Sequence, residues 1–266
     1  MAQIHSSAIV EPGAKIGSDV VIGPFCHVGD AVSLGDGVEL KSHAVVAGNT
    51  SVGARTRIFP FASVGHEPQD LKYAGEANSL TIGADCTIRE GVTINPGTAG
   101  DISETVIGDR CVFLANSHVA HDCVVGANVI FSNNVMLAGH CKVEDGVIIG
   151  GGAGIHQFCR IGRNAFIGGL AGVENDVIPY GIALGNRAYL GGLNVIGMKR
   201  GGIPRDSIHN ARNAFKMLFS SGKPLSETLA TIQTDLGSDP VVDTIVRFIS
   251  DGGDRALCTP RNGREG

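Results

Sequence analysis

Four of the nine histidines crowd into one stretch of the chain: His118 and His121 in Asn116-Ser-His-Val-Ala-His-Asp-Cys, His140 in Leu137-Ala-Gly-His-Cys, and His156 in Ile155-His-Gln-Phe-Cys. A neutral imidazole is the natural general base near pH 7, able to take the proton of a hydroxyl while its oxygen attacks an ester or thioester carbonyl. There is no GxSxG, and six of the seven cysteines fall on a regularly recurring small position. Covalent acyl-enzyme chemistry therefore has little support, and direct transfer is the simpler reading.

Such histidines need a scaffold, and the sequence shows one. Stepping by six from Ile4 gives Val10, Ile16, Ile22, Val28, Leu34, Leu40, Val46, Val52, Ile58 and Val64, all aliphatic. Four positions after each as far as Ile58 stands a small or β-branched residue, from Ala8 and Ala14 to Thr56 and Ala62. Glycine often follows the aliphatic residue directly, as in Gly17, Gly23, Gly29, Gly35 and Gly53. A strand has period two and a helix 3.6, so neither produces this combination. The pattern stops after Val64, in the polar stretch beginning His66-Glu-Pro-Gln-Asp, which reads as an extruded loop near 66–80. It resumes at Ile82, shifts phase near Gly100–Thr105, and runs from Ile107 to Val173 before Pro179 and Tyr180 end it.

The composition agrees. There are 39 Gly in 266 residues, about twice the usual ~7% share, with no Trp and only 5% aromatics. The 43% hydrophobic content and net charge of -5 exclude a disordered chain, and glycine without a period of three excludes collagen. No apolar run approaches the ~18 residues of a membrane span, so no transmembrane segment is expected. Met1–Val10 lacks the order of a signal peptide. A pI near 6.0 argues against nucleic acid as a partner, and a cytoplasmic setting is expected. Cys26, Cys86, Cys111, Cys123, Cys141 and Cys159 occupy the small inward position, as buried free thiols rather than metal ligands. No metal and no cofactor are expected. After Asn194 the spacing turns helical: Ile208, Ala211, Phe215, Leu218 and Phe219, then Leu225, Leu229, Ile232 and Leu236, then Asp239-Pro240 as an N-cap with Pro at N1. Gly237 and Gly252 read as helix stops. The expected division is a β-helix over 1–194 and a C-terminal helical domain over 195–266. Lys199, Arg200, Arg205, Arg212, Lys216 and Lys223 make its first part basic, either a solvated face or a docking patch for an acidic partner.

The repeat resembles that of the hexapeptide-repeat acyltransferases. That resemblance implies a mainly β fold, a left-handed parallel β-helix with three hexads per coil, followed by the small α-helical domain. With three hexads to the coil, His121 falls under Gly139 and Gln157, and Asp122 falls under His140. A lone histidine would more often be structural; four on neighbouring coils favour function. A corner glycine such as Gly139 could present its backbone N–H to a tetrahedral oxyanion.

A narrower likeness rests on Ala120-His-Asp-Cys, Asp70-Leu-Lys-Tyr-Ala-Gly-Glu, Ile149-Gly-Gly, His156-Gln-Phe-Cys and Gly185-Asn-Arg. These resemble the UDP-N-acetylglucosamine acyltransferases, and the likeness covers nearly the whole chain. It implies transfer of an (R)-3-hydroxyacyl chain from acyl carrier protein to the sugar 3-position of UDP-N-acetylglucosamine, the first step of lipid A synthesis. By the same resemblance His121 is the general base, Asp122 supports the acyl-donor site and Gly139 donates to the oxyanion. Asp70 and Lys72 contact the sugar or acyl donor, while His118, His140, His156 and Gln157 line the pocket. Asn194 and Arg200 reach the nucleotide and phosphates, and Gly169 stands where the family stops the acyl tail. The resemblance also implies a homotrimer with sites between subunits, and a basic tail that docks the carrier protein. Asn95-Pro96, Ile196 and Gly201 depart from the family's usual His-Arg, Glu and Arg, leaving a 3-amino sugar open as acceptor. Two other readings remain: a γ-class carbonic anhydrase with three histidines on zinc, and a non-catalytic scaffold. The pathway's N-acyltransferases carry an extra N-terminal domain, for which hexads starting at Ile4 leave no space.

Overall fold

A computed structural model describes residues 1–220 and 222–261. The hexads become two-residue strands on three parallel faces. The first face holds 11 strands, from Gln3–Ile4 to Tyr189–Leu193; the second holds nine, from Ile9–Val10 to Gly172–Val173; the third holds eight, from Lys15–Ile16 to Arg160–Ile161. The chain visits them in turn, so that Ile4 pairs with Ile22 and Val10 with Val28, each three hexads on. The architecture is the mainly β parallel solenoid expected from the repeat. Every second strand residue points inward, and Val28, Ile58, Ile88, Val119, Leu137 and Ile167 are fully buried. Phe113 and Phe131 are the largest inward side chains, meeting edge to face at 5.1 Å.

The two pauses in the repeat are insertions that leave the stacking intact. Val64 pairs below with Val46, one regular coil back, but above with Ile94, two hexads beyond a regular coil. A stretch two hexads long is therefore expelled as the first loop. Ile94 in turn pairs with Val119, one hexad and one residue beyond a regular coil, so a second, shorter segment is expelled before Glu104–Ile107.

Glycine serves two purposes, and left-handed corners such as Gly37, Gly91 and Gly146 are one. Many of the left-handed corner positions carry other residues, among them Asp19, His43, Asp122, His140 and Phe158. In the other, Gly53, Gly83 and Gly108 form a column along one edge, where a β-carbon on Gly53 would stand 2.4 Å from the backbone of Gly83. Close approach of successive coils, more than corner dihedrals, demands glycine there.

The solenoid's two ends differ. At the start, the strands of the first coil are sheet edges, and Ile4 and Ile9 are exposed. At the other end the chain turns back at Pro179–Tyr180 into an antiparallel hairpin, Gly181–Leu184 with Tyr189–Leu193. Four helices follow: α1 (Val195–Arg200), α2 (Arg205–Ser220), α3 (Leu225–Leu236) and α4 (Pro240–Ser250). The Asp239 carboxylate caps α4, accepting from the N–H groups of Val241 (2.9 Å) and Val242 (3.3 Å). Met198, Ile208, Ala211, Val241, Ile245 and Phe248 share one continuous core with the last coils. Beyond α4 a strap returns across the solenoid, anchored where Asp176 N–H donates to Ala256 O and Cys258 N–H to Asp176 O, both 2.8 Å.

Candidate active site

His121, Asp122, Gly139, His140, Gln157 and Phe158 occupy one corner, between the second and third faces. The stacking that the resemblance implied holds: His140 N–H donates to His121 O, and Phe158 N–H to Gly139 O. Asp122, His140 and Phe158 all take left-handed backbone, with φ of 57°, 61° and 66°. The aromatic rings form a ladder, with His140 stacked on Phe158 at 4.5 Å and His121 edge-on to His140 at 4.9 Å.

Asp122 is a fully buried carboxylate. It accepts from Thr98 N–H at 3.1 Å and from Thr98 Oγ1–H at 2.6 Å, and lies 2.9 Å from His121 Nδ1. With the carboxylate acting as acceptor, Nδ1 carries the imidazole proton and Nε2 keeps its lone pair. The His121 ring lies against Gly139, where a β-carbon would stand 2.7 Å from Nε2. Among the described residues, the Gly139 N–H has no hydrogen-bond acceptor. A base and a buried glycine with a free N–H thus adjoin at this corner.

Two grooves flank this corner. One of about 780 Å³ runs along the second face, lined by His118, His121, Met136, Gly139, Gly154 and His156 among others. Outward positions there read Thr93, His118, Met136, Gly154 and Gly172 up the coils, so side chains vanish toward the top. The His118 ring meets Thr93 Oγ1 at 2.7 Å; burial, followed by the neighbouring His121, holds its proton affinity below that of an ordinary histidine. The other groove, about 630 Å³, lies on the third-face side, with Asp70, Lys72, Asp101, His140, Lys142 and Phe158 among its lining. Asp70 caps its own loop by accepting from Lys72 N–H. Glu76 ties the two inserted loops together, accepting from Ala74 and Ala99 N–H; these bonds, Ala74's foremost, keep its carboxyl below the usual range. Asn95 anchors the base of the first loop by donating to the carbonyls of His66 and Glu67, while its Oδ1 is buried without a partner.

Three expected residues lie elsewhere within the chain. Gly169 sits at the corner between the first and second faces, across the second face from His121. Asn194 caps α1, accepting from Gly197 N–H and donating to Asn164 O at the third corner; Arg200 ends that helix, exposed. Thr98, Glu76, Asp101, Lys142 and Arg255 join the site without having been expected from the sequence. Only Glu76 carries a local signal, as the last residue of the Asp70 motif.

All seven cysteines are free and buried. Burial pushes the Cys159 thiol up to about 12 and that of Cys258 to about 11, so neither supplies a thiolate nucleophile. His121, Asp122 and His140 offer ligand atoms within 4.8 Å of one another, a set that a metal ion could use.

Comparison with known proteins decides the family. Residues 13–48 and 104–139 match the bacterial transferase hexapeptide model, and residues 176–258 match the second domain of UDP-N-acetylglucosamine O-acyltransferase. An acyl-[acyl-carrier-protein]–UDP-N-acetylglucosamine O-acyltransferase of Rhizobium johnstonii is 54% identical, covering all of this chain and 97% of the relative. That of Mesorhizobium japonicum is 57% identical over 97% of this chain and 92% of its own. The chain belongs to the UDP-N-acetylglucosamine O-acyltransferase family. It is an acyltransferase, as the resemblance implied. Within the family, the solved LpxA structure from Acinetobacter baumannii superimposes with a TM-score of 0.93 at 42% identity, covering 96% of this chain and 99% of that one. The Francisella novicida UDP-N-acetylglucosamine acyltransferase gives 0.94 at 35%, covering 98% and 95%.

Proposed function

We propose that this acyltransferase moves an (R)-3-hydroxyacyl group from acyl carrier protein to the 3-position of UDP-N-acetylglucosamine, the opening step of lipid A synthesis. The observation that carries the mechanism is His121, held through Nδ1 by Asp122, with its ring against Gly139, whose N–H has no acceptor among the described residues. His121 Nε2 takes the acceptor's proton as its oxygen attacks the thioester carbonyl. Gly139 N–H stabilises the resulting oxyanion. As the intermediate collapses, the C–S bond breaks and the departing sulfur takes the proton from His121. Asp122 keeps the proton of the neutral imidazole on Nδ1 and faces the imidazolium that forms between the two half-steps.

The enzyme acts as a homotrimer. Gly169, Asn194 and Arg200 lie on edges other than that of His121, an arrangement that suits a site completed by a neighbouring copy. Lys199, Arg205, His209 and Arg212 surround a cavity of about 510 Å³ with no acid in its lining, which suits docking of an acidic carrier protein. Seven unpaired thiols favour a reducing cytoplasm.

Mass spectrometry with UDP-N-acetylglucosamine, its 3-amino analogue and a ladder of hydroxyacyl carrier proteins tests the reading. An acylated sugar nucleotide is expected; its absence with every donor overturns the assignment.

A further inference from the structure

The C-terminal strap delivers one side chain to the candidate site. Arg255 lies 99 positions from His156 in sequence, yet its Nη2 stands 2.8 Å from His156 Nδ1 while its Nε donates to Gln157 O at 3.0 Å. His156 Nδ1 also lies 3.2 Å from that same carbonyl. Only one assignment satisfies all three atoms. A guanidinium has no lone pair to offer, so Arg255 donates both bonds. His156 Nδ1 is then an acceptor, and the imidazole proton resides on Nε2. This is the tautomer opposite to that of His121, whose Nδ1 faces a carboxylate.

We infer that Arg255 is a positioning residue, which fixes His156 as an Nε2–H donor toward the groove shared with His121. The two histidines then present complementary faces: a lone pair on His121 to receive a proton, and an N–H on His156 to hold an oxygen of the sugar nucleotide. The strap is independently fastened, by Asp176 to Ala256 and Cys258 and by Leu190 N–H to Thr259 O. The backbone of residue 255 therefore does not depend on its own side chain. This inference rests on the proposed reaction for the identity of the ligand, but the tautomer itself does not.

The test uses the full chain labelled with ¹⁵N in its histidine rings, the His156 signals being assigned from their loss in His156→Asn. The free protein is expected to show His156 with Nδ1 bare and Nε2 protonated. Arg255→Met is expected to mix the tautomers, and Arg255→Lys to restore the original. In kinetics, Arg255→Met should raise KM for the sugar nucleotide about three- to tenfold, with kcat changed less, and Arg255→Lys should recover most of the loss. A wild-type His156 protonated at Nδ1, or a tautomer unchanged in Arg255→Met, overturns the inference. Should Arg255→Met fail to fold, Arg255→Glu, whose carboxylate only accepts, is expected to move the proton to Nδ1, and a proton that stays on Nε2 overturns the inference. The spectra are recorded without substrate, so they stand even if the acyl-transfer assay fails.

Discussion

The imidazole of His121 lies so close over Gly139 that a β-carbon there would come within 2.6 Å of Cε1. The base and the proposed oxyanion donor therefore hold each other in place. Gly139→Ala must displace the ring, because the corner backbone is pinned by Phe158 N–H and cannot retreat freely. We expect kcat to fall on the order of 10²-fold, the cost of misplacing a catalytic group by about an ångström. Steady-state kinetics beside an unchanged unfolding temperature checks this.

His121→Ala removes the base altogether. Loss of a positioned general base costs about 10²–10⁴ in rate. If acyl transfer persists within a few-fold, the assigned role fails. Asp122→Asn offers an amide to His121 Nδ1 in place of the carboxylate acceptor, so a similar loss is expected with KM little changed.

Acid should weaken the fold through His118. Its proton affinity is depressed by burial and by His121, so the unfolded chain binds the proton more tightly than the folded one. Stability is then full above the ordinary histidine range and falls as pH drops below the unfolded value of 6.5. Urea midpoints at about pH 7.5 and about pH 5.5 should differ less in His118→Asn than in wild type.

Much of this was legible beforehand because a solenoid converts sequence spacing into position. The period of six located the strands, and the three-hexad coil implied by the family resemblance set His121, Gly139 and Gln157 in one column. What escaped were contacts without a period. Thr98 reaches Asp122 only after the second insertion has been expelled and the phase reset. Arg255 reaches His156 through a strap with no repeat at all. The spread of Gly169, Asn194 and Arg200 over other edges was equally invisible, since counting hexads assigns a corner but no neighbouring copy.

Helix α4 depends on the residue that caps it. Asp239→Ala removes the acceptor of two N–H bonds and should cost about 1 kcal/mol, seen as a fall of roughly 2–4 °C in Tm. Burial would raise the Asp239 carboxyl, but donation from Asn210, Ser207, Val241 and Val242 outweighs it and keeps it low. The cap's contribution is therefore present above the unfolded carboxylate value and lost as pH falls through the folded one. Calorimetry across that range checks both.

The unequal ends of the solenoid give it a direction of failure. Each coil packs axially against the coils next to it, so unravelling proceeds coil by coil, as a zipper opens. The helices and strap close one end, while Ile4 and Ile9 lie bare at the other. From the open end, five strands of the second face must open before the one carrying His118 is reached. A protease or a pulling force applied at the open end thus strips away packing long before it reaches chemistry.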